Sequence, residues 1–240
     1  MPAATLLAVA HGTADPAGLA EIHRLVELVR TRRAEVPVEL AWLERADPPA
    51  AAALGRLTGP VVVVPVLLST GYHVKVDIRR LVSGRPETAI ADQLGPDARL
   101  VEVLRQRLRT GRTPGTDVVL FGAGSSDPAA YRQLTDAAAG LRRSLGAAEG
   151  IAVVVHARFL TDPAWRAGLR PGLDVANYLL APGLFDDRLR AHAEELAAGF
   201  VAPPIGAHPL LAELIWDRYD RAATGLAEPG LGSARPAPPG

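Results

Sequence analysis

An internal repeat constrains the fold more than any other feature of this sequence. The stretch VVLFGAGSSDP at residues 118–128 matches LLAVAHGTADP at residues 6–16, which sets an offset of 112 residues. The same offset brings YLLAPGLFDDR at 178–188 onto VLLSTGYHVKV at 66–76, and a third pair near the end of each half keeps an offset of 111. A repeat in one register indicates that one structural unit is used twice. We therefore expect two similar domains in tandem.

Strand and helix signals alternate within the first half. Thr5–Ala10 is a short apolar run, and Asp15 with Pro16 predicts the start of the next helix. Val61–Leu68 is apolar without alternation, which is typical of a strand buried on both faces of a parallel sheet. Alternating strands and helices predict an α/β fold with parallel sheets. The other elements predicted for this half are strands at 36–43 and 88–91 and helices at 48–57 and 73–82.

Glycine and proline mark the boundaries of the predicted domains. The segment GRTPGT at 111–116 has the composition of a linker, so we expect an N-terminal domain at 1–112 and a degenerate C-terminal repeat at 117–223. Residues 224–240 are rich in proline and glycine, which predicts a disordered tail.

Composition and charge exclude several function classes. The chain has no cysteine, which excludes disulfides, thiolate metal sites and cysteine nucleophiles. Basic and acidic residues number 26 each, so no net field attracts nucleic acid or an anionic membrane. The N-terminus lacks a basic segment, and no apolar run reaches the ~18 residues of a membrane span. These features favour a cytoplasmic protein that contacts neither nucleic acid nor membrane.

The two halves differ at the histidines of the first half. His11 aligns with Ala123 and His73 with Phe185, although the surrounding loop residues persist. Each histidine follows a predicted strand, and the carboxyl ends of parallel strands form the ligand crevice of an open α/β sheet. Two imidazoles there could share a divalent metal such as Fe, Co, Ni or Zn. Glu44 ends the second strand and could add a ligand or base, or only form a salt bridge with Arg45.

Small and basic residues surround His73. Ser69, Thr70 and Gly71 let the backbone turn sharply where the third strand ends. Lys75 and Arg79 follow on the predicted helix, where they either form a solvated face or receive carboxylates of a ligand.

Five stretches of the chain resemble the sirohydrochlorin chelatases of the CbiX and SirB type. They are AHGT at 10–13, VELAWLE at 38–44, PVLLSTGYHVKVDI at 65–78, LGPDARLVEVLRQRL at 94–108 and IGAHPLLAELIWDRY at 205–219. The Gly-Tyr-His sequence with a downstream Asp is the most specific of these motifs. The resemblance implies two flavodoxin-like domains that face each other across a cleft.

The resemblance also implies a function. Members of the family are lyase-class enzymes that insert Fe²⁺ or Co²⁺ into sirohydrochlorin without ATP or another nucleotide, and Ni²⁺ or Zn²⁺ would be accepted in vitro. The matching metal-binding and catalytic residues are His11 and His73, with Glu44 carried over as a third catalytic residue. Ser69, Thr70, Gly71, Lys75 and Arg79 would bind the substrate, and a chain with both halves joined would act as a monomer.

Other readings of the sequence stay open or lose support. A metal carrier or a tetrapyrrole-binding protein without turnover would keep the same histidines. A nucleotide-binding protein has little support, because GAGSSD at 122–127 is an incomplete dinucleotide fingerprint and no phosphate-binding Gly-Lys-Ser/Thr loop is present. A serine hydrolase would need a Gly-X-Ser-X-Gly elbow, which the sequence lacks.

Overall fold

The computed structural model describes residues 3–69, 71 and 76–227, which form two parallel sheets flanked by helices. The strands are β1 Thr5–Ala10, β2 Val38–Trp42, β3 Val61–Val66, β4 Thr88–Ile90, β5 Val118–Gly122, β6 Val155–Phe159 and β7 Asp174–Tyr178. The helices are α1 Pro16–Arg32, α2 Ala50–Arg56, α3 Ile78–Leu81, α4 Ala98–Arg109, α5 Pro128–Glu149, α6 Leu184–Glu195 and α7 Pro209–Ala227.

The first sheet has the strand order β2-β1-β3-β4, and all of its strand pairs are parallel. Its central strand β1 places Leu6 opposite Val38 on one side and Val62 on the other. Every residue of β3 is buried, as the unbroken apolar run predicted. The N-terminus of α1 is also as predicted, because the Asp15 side chain accepts a hydrogen bond from the Ala17 N–H and Pro16 occupies the first turn.

The second sheet repeats this arrangement with the order β6-β5-β7, again parallel. Strand β5 is central, as β1 is in the first sheet, and all of its residues are buried. The predicted fold class, with two α/β units that each contain a parallel sheet flanked by helices, is therefore confirmed.

The last helix of each half packs on the other half. Helix α7 lies on the first sheet, where the Trp216 indole N–H donates to the Val29 carbonyl at 3.0 Å and the Tyr219 hydroxyl donates to the Ala4 carbonyl at 2.6 Å. Helix α4 lies against α5 and β7, and a Cβ at Gly140 would lie 3.0 Å from the Val101 side chain. One hydrophobic core consequently contains residues of both sheets.

Two arginines make reciprocal contacts between the halves. Arg107 in α4 donates to the Ile205 carbonyl at 2.9 Å, and Arg218 in α7 donates to the Leu94 carbonyl at 3.2 Å. The two arginines are 111 residues apart in the sequence, and so are their acceptors Leu94 and Ile205. Such self-complementary contacts are those of a two-fold interface, here formed within one chain.

Two predicted boundaries change in the structure. The helix expected at 73–82 is described only from residue 76, and its α-helical part is Ile78–Leu81; residues 73–75 lie outside the described residues. Residues 224–227, expected in the tail, are instead the end of α7, where Leu226 packs against the core, and residues 228–240 lie outside the described residues. Within the described ranges, no helix is both long and apolar enough to cross a membrane.

Candidate active site

The end of β1 brings His11 next to Glu44. Pairing between β1 and β2 continues past both strands, since the Leu43 N–H donates to the Ala10 carbonyl at 2.9 Å and the Glu44 N–H donates to the His11 carbonyl at 3.0 Å. The side chains then lie together, with His11 Nδ1 3.3 Å from Glu44 Oε1. Both side chains are nearly half exposed, at 45% and 43%, so the pair is accessible to a ligand.

Gly12 makes the close approach of these two loops possible. Its φ is +101°, a region that side-chain-bearing residues rarely adopt. A Cβ at this position would lie 1.7 Å from the Glu44 carbonyl oxygen. Residue 12 must therefore be glycine for the His11 and Glu44 side chains to remain paired.

Glu44 also contacts Arg45, the alternative partner considered from the sequence. Arg45 Nε lies 3.4 Å from Glu44 Oε1, the same oxygen that faces His11. The Arg45 side chain is 65% exposed, so solvent screens this ion pair and it contributes little stability. The Glu44 carboxylate is therefore shared between the imidazole and the guanidinium.

The other predicted site residues fall partly outside the described structure. His73, Thr70 and Lys75 lie outside the described residues. Ser69 and Gly71 are half-buried in the loop that follows β3, and Arg79 is exposed on α3. Across residues 3–69, 71 and 76–227, no group of three or more His, Asp or Glu side chains is arranged to hold a metal. The described part of the site thus supplies the pair His11 and Glu44.

The second half keeps the backbone of this site without its chemistry. The Leu160 N–H donates to the Gly122 carbonyl at 2.9 Å, as the Leu43 N–H does to the Ala10 carbonyl. Gly124 again has a positive φ, +133°, and a Cβ there would meet the Thr161 side chain at 2.1 Å. Thr161 therefore occupies the position of Glu44.

Sequence reasoning missed this equivalence of Glu44 and Thr161. The residue that follows Leu160 corresponds to the residue that follows Leu43, which requires an offset of 117 residues in place of 112. The longer segment between β5 and β6 causes the shift, since α5 has 22 residues and α1 has 17. An alignment that allowed a gap after the first strand of each half would have found it.

Strand-end loops from the two halves face each other at this edge. A Cβ at Gly183, in the loop after β7, would lie 3.2 Å from Thr13 Oγ1, and one at Gly71, in the loop after β3, would lie 3.6 Å from Ser125 Oγ. The two contacts are related by the same offset of 112 residues. The His11 loop is therefore positioned directly against the second half.

Two other histidines have structural roles in this fold. His208 precedes α7, where its Nδ1 accepts from the Leu210 N–H at 3.2 Å and its Nε2 lies 3.1 Å from Gln106 Oε1. Burial lowers the pKa of His208, and the nearby Arg107 lowers it further. The His192 ring stacks on Trp165 with ring centroids 3.9 Å apart. Neither contact involves the His11 loop.

Comparison with known proteins matches the first half of the chain to one family. Residues 5–111 match the CbiX family. This match covers β1 to α4 and includes His11 and Glu44. The resemblance to sirohydrochlorin chelatases that the sequence indicated is thereby confirmed.

Relatives and a solved structure extend the similarity to the second half. The chain is 26% identical over 239 residues to a sirohydrochlorin ferrochelatase of Priestia megaterium, covering 88% of this chain and 87% of that protein. A sirohydrochlorin cobaltochelatase of Methanosarcina barkeri (strain Fusaro / DSM 804) is 26% identical over 82 residues, covering 32% and 63%. The structure of SirB from Bacillus subtilis with Fe³⁺ has a TM-score of 0.75 at 24% identity, covering 92% of this chain and 96% of SirB. The similarity in fold thus spans both halves.

Proposed function

We propose that this protein is a sirohydrochlorin chelatase that inserts a divalent metal into the tetrapyrrole without ATP. The relatives named above carry out ferrochelatase and cobaltochelatase reactions according to their names, which supports this substrate class. We propose Fe²⁺ as the metal substrate in the cell, with Co²⁺ as the alternative. Imidazole ligands follow the Irving–Williams order and do not themselves select iron over cobalt, so metal supply decides between them.

The paired His11 and Glu44 side chains carry this proposal. They lie at the carboxyl edge of a parallel sheet, where open α/β sheets bind their ligands, and Thr13 in the loop that carries His11 lies beside Gly183 of the second half. The corresponding positions of the second half hold Ala123 and Thr161, which can neither accept a proton at neutral pH nor bind a metal tightly. One catalytic set therefore serves the whole cleft.

The chemistry of metal insertion suits an imidazole backed by a carboxylate. The metal sheds its waters, two pyrrole N–H protons leave, and the metal binds the four ring nitrogens. When the His11 Nδ1–H donates to Glu44, the lone pair of the imidazole is on Nε2, which can hold the metal or accept one pyrrole proton. We assign the second proton or metal contact to His73, which follows β3 in the sequence.

The peripheral carboxylates of the substrate need cationic partners. We propose Lys75 and Arg79 for this role, with the loop residues Ser69, Thr70 and Gly71 giving the macrocycle access to the backbone. Arg79 is exposed on α3, and Gly71 faces Ser125 of the second half. The substrate would then lie between the halves with its rim against the α3 side of the cleft.

The proposal includes a monomeric, cytoplasmic enzyme. Reciprocal contacts of Arg107 and Arg218 already join two similar halves within one chain, so a second copy is not needed to complete the cleft. A chain without cysteine suits a reducing compartment.

An anaerobic absorbance time course with sirohydrochlorin tests the function directly. Fe²⁺ and Co²⁺ are supplied in turn, each with an enzyme-free control, and ATP is omitted throughout. Accelerated metallation with either ion is the expected result, and kcat/KM for the two ions then identifies the preferred one. A protein that shifts the pigment spectrum without accelerating metallation is a carrier, and the proposal would be wrong.

A further inference from the structure

Two exposed apolar side chains begin helix α6 in the second half. The Leu184 side chain is 70% exposed and the Phe185 side chain 39% exposed. Leu184 has the highest exposed fraction among the large hydrophobic residues in the described part of the chain. Exposed apolar patches of this kind mark binding surfaces more often than isolated surface residues do.

The patch lies at the proposed substrate cleft. Gly183 immediately precedes it and contacts Thr13, which is two residues after His11. The φ of Gly183 is +139°, so this junction also depends on glycine. Phe185 occupies the repeat position of His73, to which the proposed function assigns a role in metal insertion.

The buried Asp186 side chain anchors the first turn of α6 through hydrogen bonds. Asp186 is 4% exposed, and its Oδ1 accepts from Asn177 Nδ2 at 2.7 Å at the end of β7. Its other oxygen accepts from Arg190 Nε at 3.0 Å. Because the third residue of the turn is anchored inward, Leu184 and Phe185 are presented outward on a rigid element, and little conformational entropy is lost when a ligand covers them.

A positive charge accompanies the apolar surface. The guanidinium carbon of Arg188 lies 5.9 Å from the centroid of the Phe185 ring. An apolar area beside a cation matches a flat macrocycle whose faces are apolar and whose rim carries carboxylates. This charge complementarity distinguishes a tetrapyrrole from a purely apolar partner.

We propose that Leu184 and Phe185 form a contact surface for one face of the tetrapyrrole, opposite the His11 side of the cleft. This inference rests on the proposed function and assigns a role to the degenerate half: it binds and orients the pigment while the first half handles metal and protons. Phe185 and Leu184 are binding residues in this account, and Arg188 receives a carboxylate at the rim.

The test is an anaerobic titration of sirohydrochlorin in the presence of a metal chelator, so that binding is measured without turnover. The double variant L184A/F185A is expected to raise Kd about tenfold, since loss of aromatic stacking and apolar contact removes roughly that factor. F185W should retain affinity. The control variant I151A removes a side chain with 47% exposure beside the linker residue Gly115 and should leave Kd unchanged.

Separate outcomes distinguish this inference from the proposed function. If the wild type accelerates metallation but L184A/F185A binds pigment within twofold of the wild type, the contact surface is refuted and the chelatase proposal stands. If the wild type neither binds nor metallates the pigment, the chelatase proposal itself fails. Sedimentation of the wild type and the double variant provides a further check, because a dimer abolished by the substitutions would make the patch a self-association surface and overturn the inference.

Discussion

The two halves of this protein share a backbone but differ in chemistry. Gly12 and Gly124 have positive φ angles of +101° and +133°, and each allows the loop after its central strand to pass close to the neighbouring loop. His11 and Glu44 occupy the first of these sites, whereas the second has Ala123 and Thr161. The loop geometry therefore does not depend on the His11 and Glu44 side chains, since the second half keeps it without them.

The reciprocal contacts explain why the degenerate half keeps its shape. Gly183 lies beside Thr13, and Gly71 lies beside Ser125, so the loops of each half adjoin those of the other. Helices α4 and α7 each pack on the other half, so both halves also share one hydrophobic core. A second half that lost its fold would therefore disrupt the His11 loop, although it contributes neither of the paired side chains.

Among substitutions at equivalent positions of the two halves, the largest effect is expected from G12A, compared with G124A. The new Cβ in G12A would meet a backbone oxygen at 1.7 Å, so the loops must separate and the His11–Glu44 pair opens. We expect kcat/KM for metal insertion to fall by about 100-fold, the loss typical of a displacement near 1 Å. G124A meets the side chain of Thr161, which can rotate, and should cost less than tenfold. Equal losses in the two variants would show that the halves contribute equally to catalysis.

A smaller effect is expected from E44Q, compared with T161A. The amide of E44Q can still accept a hydrogen bond from His11, but it no longer stabilises a protonated imidazole. A carboxylate that hydrogen-bonds a metal-binding histidine typically contributes about tenfold or somewhat more to activity. The kcat/KM of E44Q should therefore fall by about that factor. T161A should remain within twofold of the wild type. A fully active E44Q would reduce Glu44 to the surface partner of Arg45.

The two reciprocal arginines, Arg218 and Arg107, should differ in how much each stabilises the folded chain. Arg218 is buried and also lies 3.4 Å from Asp97 Oδ2, whereas Arg107 is half-buried and bonds to the Ile205 carbonyl. R218A leaves the Gln93 and Leu94 carbonyls without their donor, while Asp97 keeps its bonds to Arg99, and the loss of these buried hydrogen bonds should lower the free energy of unfolding by about 3 kcal/mol. R107A should cost about 1 kcal/mol. Urea unfolding of both variants measures the difference, and a larger cost for R107A would contradict the assignment.

The smallest effect concerns pH and His208. Burial lowers the pKa of His208 in the folded chain, so the unfolded chain binds the proton more readily. The stability contribution is complete above the ordinary histidine pKa of about 6.5 and is lost as the pH falls toward the lower folded value. Burial lowers the pKa of His156 in the same direction, so part of the slope will persist in any His208 variant.

The variant H208N tests this assignment, since asparagine can still cap α7. Melting temperatures measured between about pH 7.5 and pH 5 should decline less steeply in H208N than in the wild type. Identical slopes would show that His208 has no part in the acid sensitivity.

Sequence patterns predicted the fold well because its signals are local. The apolar run of β3 and the Asp15–Pro16 helix start depend on adjacent residues, and both are present in the structure. The exchange of α4 and α7 could not be predicted, because an amphipathic helix specifies an apolar face but not the sheet it covers. Residues 224–227 were assigned to a tail by composition, yet the core beside α7 stabilises their helix.

The candidate site was only partly predictable for the same reason. His11 and Glu44 were identified as strand-end residues, and the parallel register of β1 and β2 explains why they meet. The correspondence of Glu44 with Thr161 was hidden by the longer α5, and the role of Leu184 and Phe185 depends on exposure, which a sequence does not contain. His73 lies outside the described residues, so its participation stays a prediction.

The most direct test of the account is the rate of metal insertion by H11A, H73A and the double variant, measured anaerobically at a fixed concentration of sirohydrochlorin. If the two histidines act as one set, each single substitution should lower kcat by at least about 100-fold, and the double variant should be little worse than either, because groups that act as a unit are not additive. Far-UV circular dichroism should confirm that all three variants remain folded. Turnover at the wild-type rate by a folded H11A or H73A would contradict the claim that the first half carries the chemistry.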